Sequence, residues 1–295
     1  MDSEGEDSSD SSSSVFIRRA RVRDSQAIYD IHLKSLAGVD RESRGWFSSI
    51  IGLKSRRVKV LVAEIQGRVA GFIVAYKARN KAYIDSLAVD PQYRGLGVGS
   101  RLLQALEEVL ESEGVEEIGL SVKKDNHGAL QFYIKNGYSV KGVVLLLALK
   151  RENGQNTPIN GFRHVIVNGS IRKLKIKVLP TTWWSSLTEY VDRRAYDKLK
   201  DELTILVYEG PKLRGLAEFS PGKRILVDYM AVSYGKPLES IKALIEALKR
   251  EASKTNVKEI IIPVDGSKGS IIRELLNLGF TVAGAEYRLY KKLTP

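Results

Sequence analysis

An α/β (α+β) fold made of two copies of one mixed, twisted sheet flanked by helices is what this sequence predicts, and three observations carry it. Strand-like and helix-like patterns interleave, with a strand-helix-strand crossover in the middle of the first 150 residues. Five short segments of the first half recur in the same order in the second. The chain, at 295 residues, is also longer than the roughly 100–200 residues of an ordinary domain, so two domains are expected.

Residues 1–14 (MDSEGEDSSDSSSS) have too little apolar surface to fold and predict a disordered acidic tail. Phe16 to Asp24 alternates apolar and basic residues like a half-buried strand, and Asp24 or Ser25 caps a helix to about Leu36. On its inner face His32 is expected to be packed rather than catalytic. Val58–Glu64 and Val69–Tyr76, joined at Gln66-Gly67, form a hairpin. Tyr83–Val89 is the next strand, ended by Pro91. From Gly99, Leu102, Leu103, Leu106, Val109 and Leu110 fall on one helical face, and Gly114 closes the helix. Glu117–Val122 is a strand, Gly128–Lys135 a short helix, and Tyr138–Leu149 supplies the last strands of the half. Val39–Val58 reads as loop.

The repeat matches Asp85-Ser-Leu-Ala-Val89 with Asp228-Tyr-Met-Ala-Val232, and Val115-Glu-Glu-Ile118 with Val257-Lys-Glu-Ile260. It also pairs Asn136-Gly-Tyr138 with Leu278-Gly-Phe280, Ile17–Val22 with Ile171–Ile176, and Val69-Ala-Gly71 with Leu213-Arg-Gly215. Domains are therefore expected at 15–151 and 162–295, with 152–161, rich in Gly, Asn and Pro, as linker. Trp183-Trp184 is expected to pack in a core or between domains.

Composition limits the chemistry. Hydrophobic residues are 43% and charged residues 28% of the chain, the balance of a globular protein. The longest apolar run, Val143–Leu149, is far short of the roughly 20 residues that cross a bilayer, so no membrane partner is expected. An acidic, serine-rich beginning is not a secretory signal, and the expected compartment is the cytoplasm. Without cysteine there are no disulfides, no thiolate nucleophile and no cysteine-bound zinc. His32, His127 and His164 stand singly, so no metal is expected. The net charge of +12, or +17 without the tail, favours anionic partners; no basic run interleaved with aromatics points to nucleic acid.

The chemistry-bearing stretch is Asp85 to Leu103: a strand, a short turn, then Gly95-x-Gly97-x-Gly99 opening a helix. Main-chain amides at a positive helix end suit a phosphate. With Glu117 about 20 residues on, a dinucleotide-binding unit must be weighed, but the spacing is GxGxG rather than GxGxxG and the glycines follow an extended Asp90–Arg94. In the second copy the glycine segment is replaced by Pro237-Leu-Glu-Ser-Ile-Lys242, and Tyr133 by Leu275.

Leu87-Ala-Val-Asp-Pro-x-Tyr-Arg94-x-x-Gly97-x-Gly99, followed by Asn126-x-x-Ala129-x-x-x-Tyr133-x-x-x-Gly137-Tyr138, closely resembles the GNAT acetyltransferases, especially the RimI-like branch. The resemblance is specific over residues 15 to about 150 and survives beyond 162 only as general pattern, a degenerate second GNAT-like domain. It implies an acetyl-CoA-dependent N-acetyltransferase that moves acetyl directly to a primary amine of a protein, peptide or small molecule. Leu87, Ala88 and Val89 would offer backbone groups to the thioester and pantetheine arm. Arg94, Gly95, Leu96, Gly97, Val98, Gly99 and Ser100 would wrap the pyrophosphate. Asn126 would contact the cofactor, and Tyr133 would protonate the departing thiolate. A phenol of pKa about 10 can hand a proton to a thiolate of similar basicity while staying protonated at neutral pH.

Two departures stand out. RimI-like relatives carry a glutamate, the base that deprotonates the amine, five residues before the asparagine; here that position is Ser121. Asp85 and Glu64 are the carboxylates proposed instead. Gly142–Leu149 is wholly apolar where family members often carry a tyrosine pair before an acidic loop, so the resemblance does not extend to recognition of a peptide amino terminus. The other classes of function left open are a non-catalytic acyl-CoA-responsive module and a basic scaffold for acidic protein or nucleic acid.

Overall fold

The computed structural model describes residues 14–35, 43–53, 55–150, 161–169, 179–180, 203–220, 222–254 and 256–293. The acidic tail up to residue 13, most of the linker, Ile171–Ile176 and Trp183-Trp184 lie outside the described residues.

The first half contains strands β1 (Phe16–Arg19), β2 (Val58–Ile65), β3 (Arg68–Ala78), β4 (Lys81–Val89), β5 (Glu117–Lys123) and β6 (Ser139–Lys150). Its helices are α1 (Ser25–Ser35), α2 (Arg44–Gly52), α3 (Val98–Ser112) and α4 (His127–Lys135). The second half has strands β7 (Phe162–Asn168), β8 (Leu179–Pro180), β9 (Leu203–Glu209), β10 (Lys212–Ser220), β11 (Ile225–Val232), β12 (Glu259–Asp265) and β13 (Thr281–Lys292). Helices α5 (Pro237–Lys254) and α6 (Gly269–Asn277) complete its described part. All thirteen strands join one sheet.

Local chemistry explains most boundaries. Gln66 and Gly67 both take positive φ (50° and 76°), the turn that matches strand twist in a two-residue hairpin. Leu102, Leu103, Leu106 and Leu110 of α3 are each at most 1% exposed, and Gly114 at φ 77° ends that helix. The first strand is shorter than its alternation predicts. The Asp24 carboxylate accepts from the Arg21 amide and from Arg18, both at 2.7 Å, which turns the chain into a 3₁₀ turn (Val22–Asp24) leading to α1. α2, where a loop was expected, starts because Ser43 Oγ accepts from the Trp46 amide at 3.1 Å, and Trp46, Phe47 and Ile50 are buried under the sheet. α3 and α4 cover one face of the first half; α1 and α2 cover the other.

The order across the middle of the sheet is β5-β13-β6-β12. Each half thus receives the last strand of the other. β6 and β13 pair antiparallel about a pseudo-dyad. With Gly137 and Gly279 equivalent, Val144 and Glu286 occupy equivalent positions and face each other in the register. The pairs Glu117↔Lys292 of β5 with β13 and Glu259↔Lys150 of β12 with β6 repeat each other under the same relation. The cores interlock accordingly. Leu289 and Leu293 pack in the first half's core, and Leu147 in the second's. The linker separates the halves along the chain, but across the sheet each is completed by the other.

The repeat holds in space. A Cβ on Gly71 would meet Leu102 Cδ1 of α3 at 3.2 Å, and one on Gly215 would meet Leu244 Cδ1 of α5 at 2.9 Å, so both positions let the crossover helix close on the sheet. One match is corrected: β7 pairs with β9 in the place β1 takes against β2, so the counterpart of β1 is Phe162–Asn168 and not the Ile171–Ile176 segment matched in the sequence.

Candidate active site

β4 and β5 pair in parallel from Lys81↔Glu117 to Ile84↔Leu120, and there the ladder stops. Two local causes force the strands apart. Asp85 is a bulge, since neighbouring residues Val74 and Ala75 of β3 pair with Ser86 and Ile84. β5 meanwhile continues against β13 through Ser121↔Arg288 and Lys123↔Glu286. Leu87, Ala88 and Val89 keep their pairing to β3 and have no ladder partner on the side of the fork among the described residues.

A cleft of about 890 Å³ opens there. Of the eleven residues expected to hold a cofactor, ten line it: Leu87, Ala88, Val89, Arg94, Gly95, Gly97, Val98, Gly99, Ser100 and Asn126. Leu96 alone does not, and is 59% exposed. Gly95 (φ 80°) and Gly97 (φ 74°) hold left-handed backbone, and Gly97 is the N-cap of α3. The first amides of α3 have no carbonyl partner in their own helix and sit at its positive end. Gly99 brings the backbone against Phe132, whose ring a Cβ would meet at 3.4 Å. Arg94 Nε donates to Val89 O at 3.2 Å, tying the loop to the strand. Burial alone would raise the Asp90 carboxyl, but Lys34 at 2.7 Å and the Gln92 amide outweigh it and hold it below the usual range. Asn126 Oδ1 accepts from the Ala129 amide at 3.1 Å, so it caps α4 as well as lining the cleft.

Tyr133 lines the same cleft and is 7% exposed, edge-on to Phe132 and Tyr138 with centroids 5.1 and 5.5 Å away. Burial pushes its phenol above the ordinary range, so it is fully protonated at neutral pH. Asp85 stands at the fork but outside the lining of the cleft. It keeps solvent contact, which limits the effect, but the burial of its carboxyl raises it to about 6. Glu64 is not at the cleft. Its carboxylate is held by Arg18 at 2.7 Å beside β1. His32 is packed, 5.2 Å from the Phe47 ring, and burial lowers its pKa.

Position 121 holds what the sequence hid. Ser121 Oγ donates to Glu286 Oε2 at 2.5 Å, across 165 residues of chain. Only the exchange of strands brings them together, and no spacing rule could have found the pair. The apolar Gly142–Leu149 segment lies in β6, away from β5; the strand beside β5 is β13, which carries Glu286, Tyr287, Arg288 and Tyr290. An expectation about the acceptor drawn from 142–149 therefore concerned the wrong strand.

In the second half the matching strand edge is covered. The β11 edge matching Ala88-Val89 is already paired: Ala231 with Pro180 and Val232 with Leu179 of β8. Pro237 and Glu239 open α5 where the first half has glycines, and Leu275, fully buried, replaces Tyr133.

The acetyltransferase (GNAT) family model matches residues 25–138. An N-alpha-acetyltransferase of Sulfurisphaera tokodaii is 32% identical over 135 residues, covering 41% of this chain and 78% of that protein. The chain belongs to the GNAT acetyltransferase family. An acetyltransferase of Sodalis glossinidius is 37% identical over 87 residues, 30% of this chain, and the match spans 61% of that relative's length. The two-copy architecture is shared with a solved tandem GNAT protein from the clavulanic acid biosynthesis pathway. The TM-score is 0.73, over 96% of this chain and 99% of that one, at 13% identity. At that identity the likeness shows the fold alone.

Proposed function

We propose that this GNAT protein binds acetyl-CoA in the cleft of its first half and transfers the acetyl group directly to a primary amine. The observation that carries the reading is the convergence, on one fork, of an unpaired strand edge, an amide-lined helix start and a buried phenol. The donor set fits the cofactor. Open amides at Gly95 to Ser100 suit the pyrophosphate, and the Leu87–Val89 edge, which has no ladder partner on this side though Arg94 holds Val89 O, suits the amide-bearing pantetheine arm. Fixed amides beside the fork also suit the charge that develops on the thioester oxygen.

The amine nitrogen forms the new bond to the acetyl carbon as the C–S bond breaks. Tyr133 gives its proton to the leaving thiolate and recovers one from solvent. Of the two carboxylates that the sequence nominates for the nitrogen's proton, Asp85 is at the fork and Glu64 is not. Similarity to an N-alpha-acetyltransferase favours a polypeptide α-amine among the possible acceptors. Release of free thiol from acetyl-CoA, supplied with α-amino peptides, lysine peptides or small polyamines, tests the reading. Tyr133→Phe is expected to lower turnover about 10²-fold with acetyl-CoA protection against thermal unfolding unchanged. An unchanged rate would remove Tyr133 from the mechanism.

A further inference from the structure

The pseudo-dyad relates every residue of β5, β6, β12 and β13 to a counterpart, so departures from it stand out against a background the fold itself sets. Beside the cleft, at two residues outside its lining, the departure is chemical. Ser121 corresponds to Pro263, and Glu286 to Val144. An apolar side chain therefore satisfies this sheet position in one half, and a proline satisfies the neighbouring one. A hydroxyl hydrogen-bonded to a carboxylate occurs only in the half that carries the cleft, and it is not needed to build the sheet.

The placement is specific. Ile84↔Leu120 is the last pair of the β4–β5 ladder, so Ser121 is the first residue beyond the fork on β5, as Asp85 is on β4. Because Ser121 Oγ donates its hydrogen to Glu286 Oε2, its lone pairs remain to accept from another donor. The surroundings are defined on every strand that flanks Glu286. Lys123 stands opposite on β5 and lines the cleft. Arg288 lies two residues along β13, held by Asp265 of β12 at 2.5 Å, and its guanidinium passes over Gly142, where any Cβ would clash at 2.7 Å. On β6 the facing residue is the apolar Val144.

We infer that Ser121 and Glu286 form the acceptor-side proton relay of the first half's site, with the carboxylate supplied by the second half. This rests on the acetyl-transfer reading above. An ammonium N–H of the acceptor donates to Ser121 Oγ. That proton passes to Oγ while the serine hydrogen passes to Glu286, which later releases it to water; the neutral amine so formed bonds through its lone pair to the acetyl carbon, and its second surplus proton goes to water as the C–S bond breaks. Ser121 touches the acceptor; Glu286 is the positioning residue that orients the hydroxyl and ends the relay. The second half is then a structural donor of chemistry to the first, not only its support.

The test uses the full chain, acetyl-CoA and a lysine-free peptide with a free alanine amino terminus, followed by thiol release across pH 6 to 10. Glu286→Gln keeps an oxygen that accepts from Ser121. It is expected to lose about 10²-fold in kcat/KM at pH 7 and much less above pH 8, where the α-amine (pKa about 7.7–8.0) is already neutral. Acetyl-CoA protection against unfolding should be unaltered. Ser121→Ala, which spares the carboxylate, should show the same alkaline shift if the first variant fails to fold. If Asp85 took the nitrogen's proton in place of this relay, Asp85→Asn would show the alkaline shift and Glu286→Gln would not. Thiol release by the parent chain with a Glu286→Gln profile like its own, or an alkaline shift in Asp85→Asn instead, overturns the relay alone. No thiol release by the parent with this peptide or any other amine overturns the acetyl-transfer reading, and the relay with it.

Discussion

The two halves share a sheet, a crossover helix and even the glycine that lets helix meet strand, yet they differ at the strand edge, the helix start and the phenol of the cleft. In the first, the edge of Leu87–Val89 is open and Gly95, Gly97 and Gly99 leave amides bare; in the second, β8 covers the matching edge and Pro237 and Glu239 stand at the helix start. Leu275 stands where the first half has Tyr133, and Pro263 where it has Ser121. The lesson is that this fold's chemistry depends first on unsatisfied backbone at a fork in the sheet. Side chains then specialise what the backbone offers, and a single two-residue strand is enough to close it.

The interlocking can be broken most severely by cutting the chain. Residues 14–150 alone lack β13, which separates β5 from β6 and contributes Leu289 and Leu293 to the core. They are expected to yield no folded monomer, but aggregates or a dimer that repeats the exchange, with Val144 facing Val144. Analytical ultracentrifugation with circular dichroism decides this, and a stable folded monomer would contradict the exchange.

A gentler probe uses the dyad mates Leu147 and Leu289, both fully buried, each in the core of the half that does not encode it. Each truncated to alanine should cost about 2–5 kcal/mol by denaturant unfolding. If the exchange couples the halves, both variants unfold in one transition rather than two.

The smallest effect concerns Asp85, whose counterpart segment in β11 opens no cleft. Its carboxyl is raised in the folded state, so it favours folding most below pH 4, and that contribution is lost as pH rises through about 6. Asp85→Asn should remove this dependence. Relative to the parent, its melting temperature should gain between pH 4 and 6 and stay equal or higher at pH 7. Solvent contact keeps the gain small.

Much of this was legible in the sequence because it was local. The Gln66-Gly67 hairpin, the leucine stripe of α3 with its Gly114 stop, and the glycine entry at Gly97 each depend on neighbours a few residues away. The repeat, too, showed where the second cleft had been lost. α2 was missed because its cap, Ser43, and three buried residues make too short a pattern to stand out from a loop. The exchange was missed for a different reason. β6 and β13 are equivalent strands, each entered through a turn at a left-handed glycine (Gly137 and Gly279), so nothing in either one states which neighbour it will choose. Glu286 was hidden by the same fact, since its partner Ser121 lies 165 residues away.

The central proposal is that acetyl-CoA binds in the cleft of the first half and not in the second. Isothermal titration of the full chain with acetyl-CoA should return one site. Gly97→Glu, which puts a β-carbon on left-handed backbone and a negative charge at the helix start, should leave none. Two sites in the parent, or binding that survives Gly97→Glu, would contradict the account.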